Sequence, residues 1–375
     1  MSRLQITGSN ELSFEIARGH RFPIHPLWLR ERCQDAESID RRTGQRLEDP
    51  SDLDLQLGLT SVTEVETGRY RIRFTDGHEA DFLGQEILAE ALLPPGDHDC
   101  PPIRLWDGSL GEIPRAAWSS NPTDEVKVGW LKPFLELGFI IFTGVPTESQ
   151  RVLKVGAAFG FVRDTNFGAH FDVCSKPDAN DLAYTSLFLD PHTDNPYRSP
   201  VPGVQLLHCL ANETSGGLST LVDGFAAAQT LRSQDPHSFD ILTRTPVRFR
   251  FRDTDTELVR SSPLIEVDGT GALQAINFSP RLDYVPLLPP QELTAYFKAR
   301  KALDQLLRSP KYEIRFLLNA GDLMMMDNRR LLHGRTAFDT REGLRHLQGC
   351  YIDVDGPRSV FRVLRRRLGA TGSQA

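Results

Sequence analysis

Two histidines and one aspartate have the residue types and the order of a metal-binding set. His192 and Asp194 are two residues apart in "DPHTDNPYRSP", and His333 follows 139 residues later in "DNRRLLHGRTAF". Taken singly, each residue is more typical of a turn or a strand end. Together, two neutral imidazoles and one carboxylate would fill one face of an octahedral ion and leave three positions open for a co-substrate and O₂. Because alternate residues of a strand project to the same side, the pair His192 and Asp194 fits one metal.

An arginine follows this set, 12 residues after His333. Arg345 begins the apolar stretch in "GLRHLQGCY". If a 2-oxo acid took two of the open metal positions, its far carboxylate would need a fixed cation. Arginine suits this because its planar guanidinium pairs with both carboxylate oxygens and stays charged when buried. Two alternatives remain: a zinc hydrolase, which would more often close its site at four ligands, and a catalytically silent sensor that binds 2-oxoglutarate.

The composition excludes several classes of protein. The 375 residues carry a net charge of -7 with a pI of about 5.8, so no excess of basic charge indicates nucleic-acid binding. The sequence has no apolar run of membrane-spanning length and no signal-peptide core, which predicts a cytoplasmic protein without a membrane partner. The five cysteines form no CxxC pair, which predicts reduced thiols and no disulfide framework.

The chain predicts a small N-terminal domain at 1–95 and a larger domain at 104–375. A stretch rich in proline and glycine, residues 93–103, separates them as a linker. In the first domain, the alternation of "GRYRIRFTDGHEADF" around a "TDG" turn predicts a β-hairpin.

In the larger domain, the apolar run Phe139 to Phe142 predicts a strand buried on both faces. A helix is predicted after Asp223 as its N-cap. A second helix follows near 290–310, with its apolar face at Leu293, Phe297, Leu303 and Leu306. The segment "ETSGG" is predicted to join two strands as a hairpin or a loop. Many short strands with a few outer helices predict an antiparallel barrel or jelly roll.

Five stretches resemble the gamma-butyrobetaine and trimethyllysine hydroxylases, in the taurine-dioxygenase-like branch of the Fe(II)/2-oxoglutarate oxygenases. In family order they are "NDLAYTSLFLDPHTDNPY", "PGVQLLHCL", "GGLSTLVDGF", "DNRRLLHGRTAF" and "RHLQGCYIDVD". The first hundred residues resemble the small N-terminal domain of the same enzymes through "HPLWLRERC" and "FTDGHEADF". The resemblance implies a mainly β protein with flanking helices: a double-stranded β-helix (jelly-roll) catalytic domain and a small β-rich N-terminal domain.

The same resemblance implies the cofactors and the residues that hold them. The iron ligands would be His192, Asp194 and His333, and the 2-oxoglutarate residues would be Arg345, Leu207 and Ser219. Oxidative decarboxylation of 2-oxoglutarate would leave succinate and CO₂, and O₂ would hydroxylate a substrate C–H bond. No amino-acid nucleophile or general base is required, and ascorbate is implied as a supporting reductant.

The family's substrates carry a trimethylammonium group, which aromatic faces bind through cation–π contacts. The residues at matching motif positions are Phe167, Phe171, Tyr184 and Tyr351. At the anionic end, Asn195 replaces a tyrosine of the animal butyrobetaine enzymes, and Asp181 replaces an asparagine that contacts the anion. These changes favour a phosphonate, 2-(trimethylammonio)ethylphosphonate, beside gamma-butyrobetaine as the substrate. The candidate anion donors are Asn180, Asn195, Arg198 and Arg281.

The N-terminal domain departs from the family pattern. Several relatives hold a structural zinc there with three clustered cysteines and a later histidine, whereas this chain offers only Cys33 with His78. Two missing thiolates leave too few ligands for a closed zinc site, so we predict no zinc, a packed thiol at Cys33 and a turn residue at His78. The family often forms dimers, so a homodimer is expected by analogy.

Overall fold

The structure of the chain is a computed structural model that describes residues 3–8, 11–16, 20–92, 99–174 and 186–372. The chain divides into two compact units, Met1–His98 and Asp99–Ala375. Within the described residues, no helix is both long enough and apolar enough to span a lipid bilayer.

The first unit contains two three-stranded antiparallel sheets and two short α-helices. The strands are β1 (Arg3–Gly8), β2 (Glu11–Ile16), β3 (His20–Ile24), β4 (Leu59–Glu66), β5 (Arg69–Phe74) and β6 (Glu79–Leu83), and the helices are α1 (Pro26–Arg30) and α2 (Gly84–Ala91). A 3₁₀ turn spans Pro50–Asp52.

Strands β5 and β6 form the hairpin that the alternating pattern predicts. Tyr70 pairs with Phe82 and Ile72 with Ala80 across the ladder. The turn contains Gly77 at a φ of +89°, a conformation that glycine adopts without a steric penalty. Tyr70, Ile72 and Ala80 are buried in the core of this unit, so the hairpin prediction is confirmed.

The second unit is built around two sheets. The four-stranded sheet has the order β10-β20-β12-β18, and the six-stranded sheet has the order β7-β8-β19-β11-β21-β9. All neighbouring strands are antiparallel except β7 and β8. The bounds in the four-stranded sheet are β10 (Leu189–His192), β12 (Ser219–Asp223), β18 (Glu313–Phe316) and β20 (Leu331–Arg335). The bounds in the six-stranded sheet are β7 (Arg115–Ala117), β8 (Phe139–Thr143), β9 (Phe171–Cys174), β11 (Val204–Asn212), β19 (Leu323–Asp327) and β21 (Arg345–Ile352).

From β9 to β12, and again from β18 to β21, successive strands alternate between these two sheets, which is the pattern of a double-stranded β-helix. The jelly-roll prediction is therefore confirmed. Strand β8 shows how the core is divided. Phe139 and Ile141 pack between the two sheets, whereas Ile140 and Phe142 pack under the helices on the outer face. Since neighbouring residues of a strand point to opposite faces, this continuous apolar run is buried on both sides, as predicted.

Helices cover the outer faces of both sheets. Those against the six-stranded sheet are α3 (Asp124–Leu137), α4 (Arg151–Ala157) and α8 (Asp355–Gly372). The other cluster contains α5 (Gly224–Gln234), α6 (Pro236–Arg244) and α7 (Pro290–Leu307). Asp223 is the N-cap of α5 as predicted, because its carboxylate accepts hydrogen bonds from the backbone of Phe225 and Ala226.

Five further strands complete the second unit. Three form a small sheet, and two form a hairpin. Their bounds are β13 (Val247–Arg252), β14 (Glu257–Ser262), β15 (Ile265–Val267), β16 (Leu273–Ile276) and β17 (Asp283–Tyr284).

The sequence predicts a hairpin or a loop at "ETSGG", and the structure selects the loop, because β11 and β12 belong to different sheets. One feature of the predicted fold is corrected: the apolar face predicted for α7 was wrong at Phe297, which is 50% exposed. The buried stripe instead runs through Tyr296, Ala299, Leu303 and Leu307, whose spacings of three and four residues keep them on one side of the helix.

Candidate active site

The three predicted metal ligands lie together at one end of the core. His192 is the last residue of β10, and it stands opposite His333 of β20 in the ladder. Their ring centroids are 4.4 Å apart. With Asp194, they offer three ligand atoms that all lie within 4.8 Å of one another. Two imidazoles and one carboxylate at this spacing fit a divalent iron ion and leave coordination positions open.

Asp194 lies just beyond the end of β10, so strand alternation alone does not place it. The side chain of Asn328 holds its backbone: the Asp194 N–H donates to Asn328 Oδ1 at 2.8 Å, and Asn328 Nδ2 donates to the Asp194 carbonyl at 2.9 Å. Asn328 is fully buried. This pair of hydrogen bonds fixes the turn that carries the carboxylate towards the histidines.

The protonation states of the three residues suit metal binding. His192 Nδ1 is 2.8 Å from the Asp190 carbonyl, which fixes that nitrogen as the donor and leaves Nε2 for a metal. Burial lowers the pKa of His333 to about 4, so its imidazole is neutral at pH 7. Burial by itself would raise the pKa of Asp194, but the neighbouring histidines hold that pKa well below its usual range.

A cavity on one side of the triad contains the predicted co-substrate residues. Leu207, Ser219 and Arg345 all line it, together with His192, Asp194 and His333. Arg345 is only 6% exposed, and its NH2 group donates to the Gly217 carbonyl at 3.2 Å. Its Nε finds no acceptor within the described part of the chain. Burial lowers the pKa of Arg345, and an uncompensated buried guanidinium favours an anionic ligand.

Gly217 explains how this arginine fits. Its φ is +66°, and a Cβ at this position would lie 2.7 Å from Arg345 Nε. A side chain here would collide with the guanidinium and strain the backbone. Gly217 of "ETSGG" therefore makes room for the arginine of this cavity, at the point where the chain crosses from one sheet to the other.

A second cavity opens on the other side of the triad. Phe167, Phe171, Asn195 and Tyr351 line it as predicted. Two aromatic residues that the sequence analysis did not identify, Tyr197 and Phe251, also line it, and so does Arg281. Arg281 was predicted as an anion donor, and the structure brings it into this cavity.

The aromatic rings of the second cavity form two groups. The rings of Phe171 and Tyr351 stack with centroids 5.2 Å apart. Phe251 contacts both Phe167 and Tyr197, with centroid separations of 5.6 Å and 5.1 Å. Tyr197 also donates a 2.7 Å hydrogen bond to Asn195 Oδ1. This bond orients the amide of Asn195 and leaves its nitrogen as a donor.

Some predicted residues are not among those that the structure shows lining the two cavities. Arg198 donates to the Asn166 side chain and is half-buried. Asn180, Asp181 and Tyr184 lie outside the described residues, so their predicted roles stay predictions. Asn328 and Gln205 were missed, although each is a polar residue beside or within an apolar strand, which is a usable signal. Phe251 carries no local signal, since it is far from every motif in the sequence.

The N-terminal unit contains a second cluster of possible ligands: Cys33, Asp35 and His78. Asp35 is a third candidate ligand that the sequence analysis did not identify, because it considered only Cys33 and His78. His78 Nε2 is 2.9 Å from Asp35 Oδ2, so these two groups already pair with each other. Burial raises the pKa of the Cys33 thiol to about 12. Within the described residues the cluster offers three candidate ligands, two of which already pair with each other, whereas a structural zinc site usually uses four; this supports the prediction of no zinc.

Arg30 strengthens this conclusion. Its guanidinium lies 3.1 Å from Asp76 Oδ2 and 2.8 Å from Glu48 Oε2, and NH1 is 3.4 Å from Ser38 Oγ. Ser38 in turn donates to Asp35 at 3.2 Å. A buried positive charge already occupies the neighbourhood that a dication would need.

Comparisons with known proteins agree with the site. Residues 112–351 match the family described as "Taurine catabolism dioxygenase TauD, TfdA family", and residues 5–83 match "Gamma-butyrobetaine hydroxylase-like, N-terminal". A gamma-butyrobetaine dioxygenase of Pseudomonas sp. (strain AK-1) is 34% identical over 93% of this chain and 92% of its own length. The Homo sapiens gamma-butyrobetaine dioxygenase is 31% identical, covering 91% of each chain. A trimethyllysine dioxygenase of Gallus gallus is 28% identical over 90% of this chain and 82% of its own length.

Solved structures that resemble the chain are more distant. The non-heme iron oxygenase OrfP in complex with Fe and alpha-ketoglutaric acid has a TM-score of 0.49 and 15% identity, covering 64% of this chain and 94% of that one.

Proposed function

Because the chain belongs to the TauD, TfdA dioxygenase family, with a gamma-butyrobetaine hydroxylase-like N-terminal region, we propose that it hydroxylates a small trimethylammonium zwitterion. As a member, it is an Fe(II)/2-oxoglutarate-dependent dioxygenase. One observation carries the proposal for the substrate: the cavity beside the triad contains both aromatic rings and a guanidinium. A zwitterion has a matching group for each of them.

In this proposal, His192, Asp194 and His333 hold the iron. Arg345 pairs with the far carboxylate of 2-oxoglutarate, Ser219 assists it with its hydroxyl, and the backbone at Leu207 contacts the same molecule. The bound iron supplies the activation of O₂ and the oxidation of the C–H bond. The residues of the chain would orient the reactants and exclude water, since His192, Ser219 and Arg345 are all buried.

The cationic end of the substrate would lie against the aromatic rings. A trimethylammonium group donates no hydrogen bonds, so the faces of Phe171, Tyr351 and Phe251 are suitable partners. Phe167 and Tyr197 hold Phe251 in place by ring contacts. Tyr184 was predicted for the same role and remains a proposed member of this group of aromatic residues, which we call the aromatic cage.

The anionic end would lie near Asn195 and Arg281. Arg281 lines the same cavity as His192 and Asp194, so this residue is near the proposed metal ligands. Asn180 and Asp181 remain proposed neighbours of the same end. A guanidinium with an amide donor suits a phosphonate, which carries three oxygens, as well as a carboxylate. The proposed substrates are therefore 2-(trimethylammonio)ethylphosphonate or gamma-butyrobetaine, with the phosphonate at least as good.

A panel of substrates tests this proposal. The purified enzyme with Fe(II), 2-oxoglutarate and ascorbate is given gamma-butyrobetaine, trimethyllysine or 2-(trimethylammonio)ethylphosphonate, and succinate release is measured. We expect turnover with at least one of the two small zwitterions, and a kcat/KM for the phosphonate no lower than that for gamma-butyrobetaine. A strong preference for gamma-butyrobetaine would reject the proposal that the phosphonate is a substrate of equal quality. Turnover of trimethyllysine alone would reject both small zwitterions as substrates.

The two alternative functions predict different chemistry. A zinc hydrolase on the same triad would act without O₂, and a silent sensor would bind 2-oxoglutarate without releasing succinate. Oxygen consumption that matches succinate formation separates both from the proposed hydroxylase.

For the N-terminal region, we propose a metal-free domain at 1–95 joined to the catalytic domain at 104–375. The pairing of Asp35 with His78 and the position of Arg30 support this. Elemental analysis of the purified full chain is expected to find no zinc after mild dialysis. One equivalent of zinc that is lost on replacing Cys33 by Ser would contradict it.

The remaining proposals concern partners and location. We propose a cytoplasmic enzyme that forms homodimers and binds neither nucleic acid nor membranes. Light scattering of the purified chain measures the mass of the assembly against the 42.1 kDa of one chain.

A further inference from the structure

A second arginine lies beside Arg345 in the co-substrate cavity. Arg335 is the last residue of β20, and it is 6% exposed. It lies two residues after His333, so both side chains project from the same face of the strand. Two residues of strand advance about 7 Å, which is the scale of a five-carbon diacid that starts at the metal.

The opposite sheet brings Arg345 to the same end of the cavity. Both arginines line it, although β20 and β21 belong to different sheets. The ring of Phe338 contacts both guanidiniums: its centroid lies 4.9 Å from the Cζ atom of Arg335 and 5.5 Å from that of Arg345. The π face partly offsets the repulsion of the two cations.

Ser219 is the third polar group at this end. It is the first residue of β12 and pairs directly with Arg335 in the ladder. The hydroxyl and the two guanidiniums therefore converge from β12, β20 and β21.

We propose that Arg335 is a second anion-binding residue for 2-oxoglutarate, and that its far carboxylate lies between the guanidiniums of Arg335 and Arg345. One carboxylate placed between two buried guanidiniums would form charge-assisted hydrogen bonds with both of them. This proposal rests on the co-substrate cavity described under Proposed function. A purely structural role is the alternative, since Arg335 NH2 also donates to the Leu187 carbonyl at 2.9 Å.

A comparison of two co-substrates separates these roles. 2-Oxoglutarate and 2-oxobutyrate share the 2-oxo acid that would bind the metal, but only the first has a far carboxylate. Binding of each to the iron-loaded enzyme is measured by calorimetry without O₂, so the readout does not depend on turnover. The variants are Arg335→Gln and Arg335→Lys, with Arg315→Gln as control, because Arg315 is an exposed arginine on the neighbouring strand β18.

We expect Arg335→Gln to weaken 2-oxoglutarate by roughly ten- to hundredfold, the factor that corresponds to losing a hydrogen bond between charged groups. Binding of 2-oxobutyrate should stay unchanged, Arg335→Lys should recover part of the loss, and Arg315→Gln should bind both acids like the wild type. Equal losses for both acids, with a lower thermal midpoint, would show a structural role and overturn the proposal. Unchanged binding of 2-oxoglutarate would overturn it as well. If the wild type binds neither acid, the co-substrate cavity itself is misassigned.

Discussion

The phenolic hydroxyl of Tyr351 donates a 2.8 Å hydrogen bond to Oδ2 of Asp194. The side-chain nitrogen of Gln205 donates to the same oxygen at 2.5 Å. The other oxygen, Oδ1, lies 3.4 Å from Nε2 of His192, and Oδ2 itself lies 3.9 Å from Nε2 of His333. Tyr351 therefore contacts the proposed iron ligand with its hydroxyl and lines the substrate cavity with its ring.

Replacing Gln205 by Leu should weaken iron binding. Oδ2 of Asp194 would lose one donor, and loss of such a supporting partner typically costs roughly 10- to 100-fold in metal affinity. Titration with Fe(II) under nitrogen, followed by calorimetry, measures the change. Gln229→Leu, at an exposed position of α5, is the matched control, and an equal affinity in both variants would show that Gln205 does not orient the carboxylate.

Replacing Asp194 by Ala should abolish iron-dependent turnover and leave the fold intact. The carboxylate is the only anionic ligand of the proposed set, so its loss leaves two neutral imidazoles. Succinate release and circular dichroism report activity and fold, and Asp255→Ala at an exposed site controls for the loss of one negative charge. Near wild-type turnover in Asp194→Ala would reject the assignment of the triad.

Replacing Arg345 by Ala should weaken 2-oxoglutarate far more than the substrate. Truncating one partner of a buried charged pair costs about 2–5 kcal/mol, and the substrate cavity does not include this residue. The concentrations of 2-oxoglutarate and of substrate at half-maximal turnover give the two effects separately. An unmoved midpoint for 2-oxoglutarate would mean that another cation holds its carboxylate.

A neutral isostere with a tert-butyl group should be a poor substrate. It keeps the shape of the trimethylammonium group and removes its charge, so it isolates the cation–π contribution, about 0.5–2 kcal/mol per contact. The ratio of kcat/KM values for zwitterion and isostere measures it, and Phe251→Leu should reduce this ratio. Equal rates for the two compounds would remove the aromatic cage from the proposal.

The parts of the site that the sequence predicts are those with local patterns. The triad and Arg345 are marked by residue type, order and spacing, and strand β8 is marked by its apolar run. Asn328, which holds the backbone of Asp194, lies 134 residues away in the chain. Its role depends on a tertiary contact that no spacing reveals.

The same limit explains the error in α7 and the choice between hairpin and loop that the sequence left open at "ETSGG". In α7, Tyr296 and Phe297 are adjacent aromatic residues, and the packing of α5 and α6 decides which of them is buried. Strands β11 and β12 are neighbours in sequence, but they pair in different sheets because the chain alternates between the two sheets of the jelly roll. Arg335 and Arg345 approach each other only after those sheets close on one core.

Phe171 and Val173 line both cavities, so the two ligands share one wall of strand β9. Gly349, on the paired strand β21, makes room for that wall, because a Cβ there would lie 2.3 Å from a ring carbon of Phe171. A shared wall can couple the binding of the proposed co-substrate to the binding of the proposed zwitterion. By thermodynamic linkage, whatever factor the co-substrate applies to the affinity for the zwitterion, the zwitterion applies to the affinity for the co-substrate.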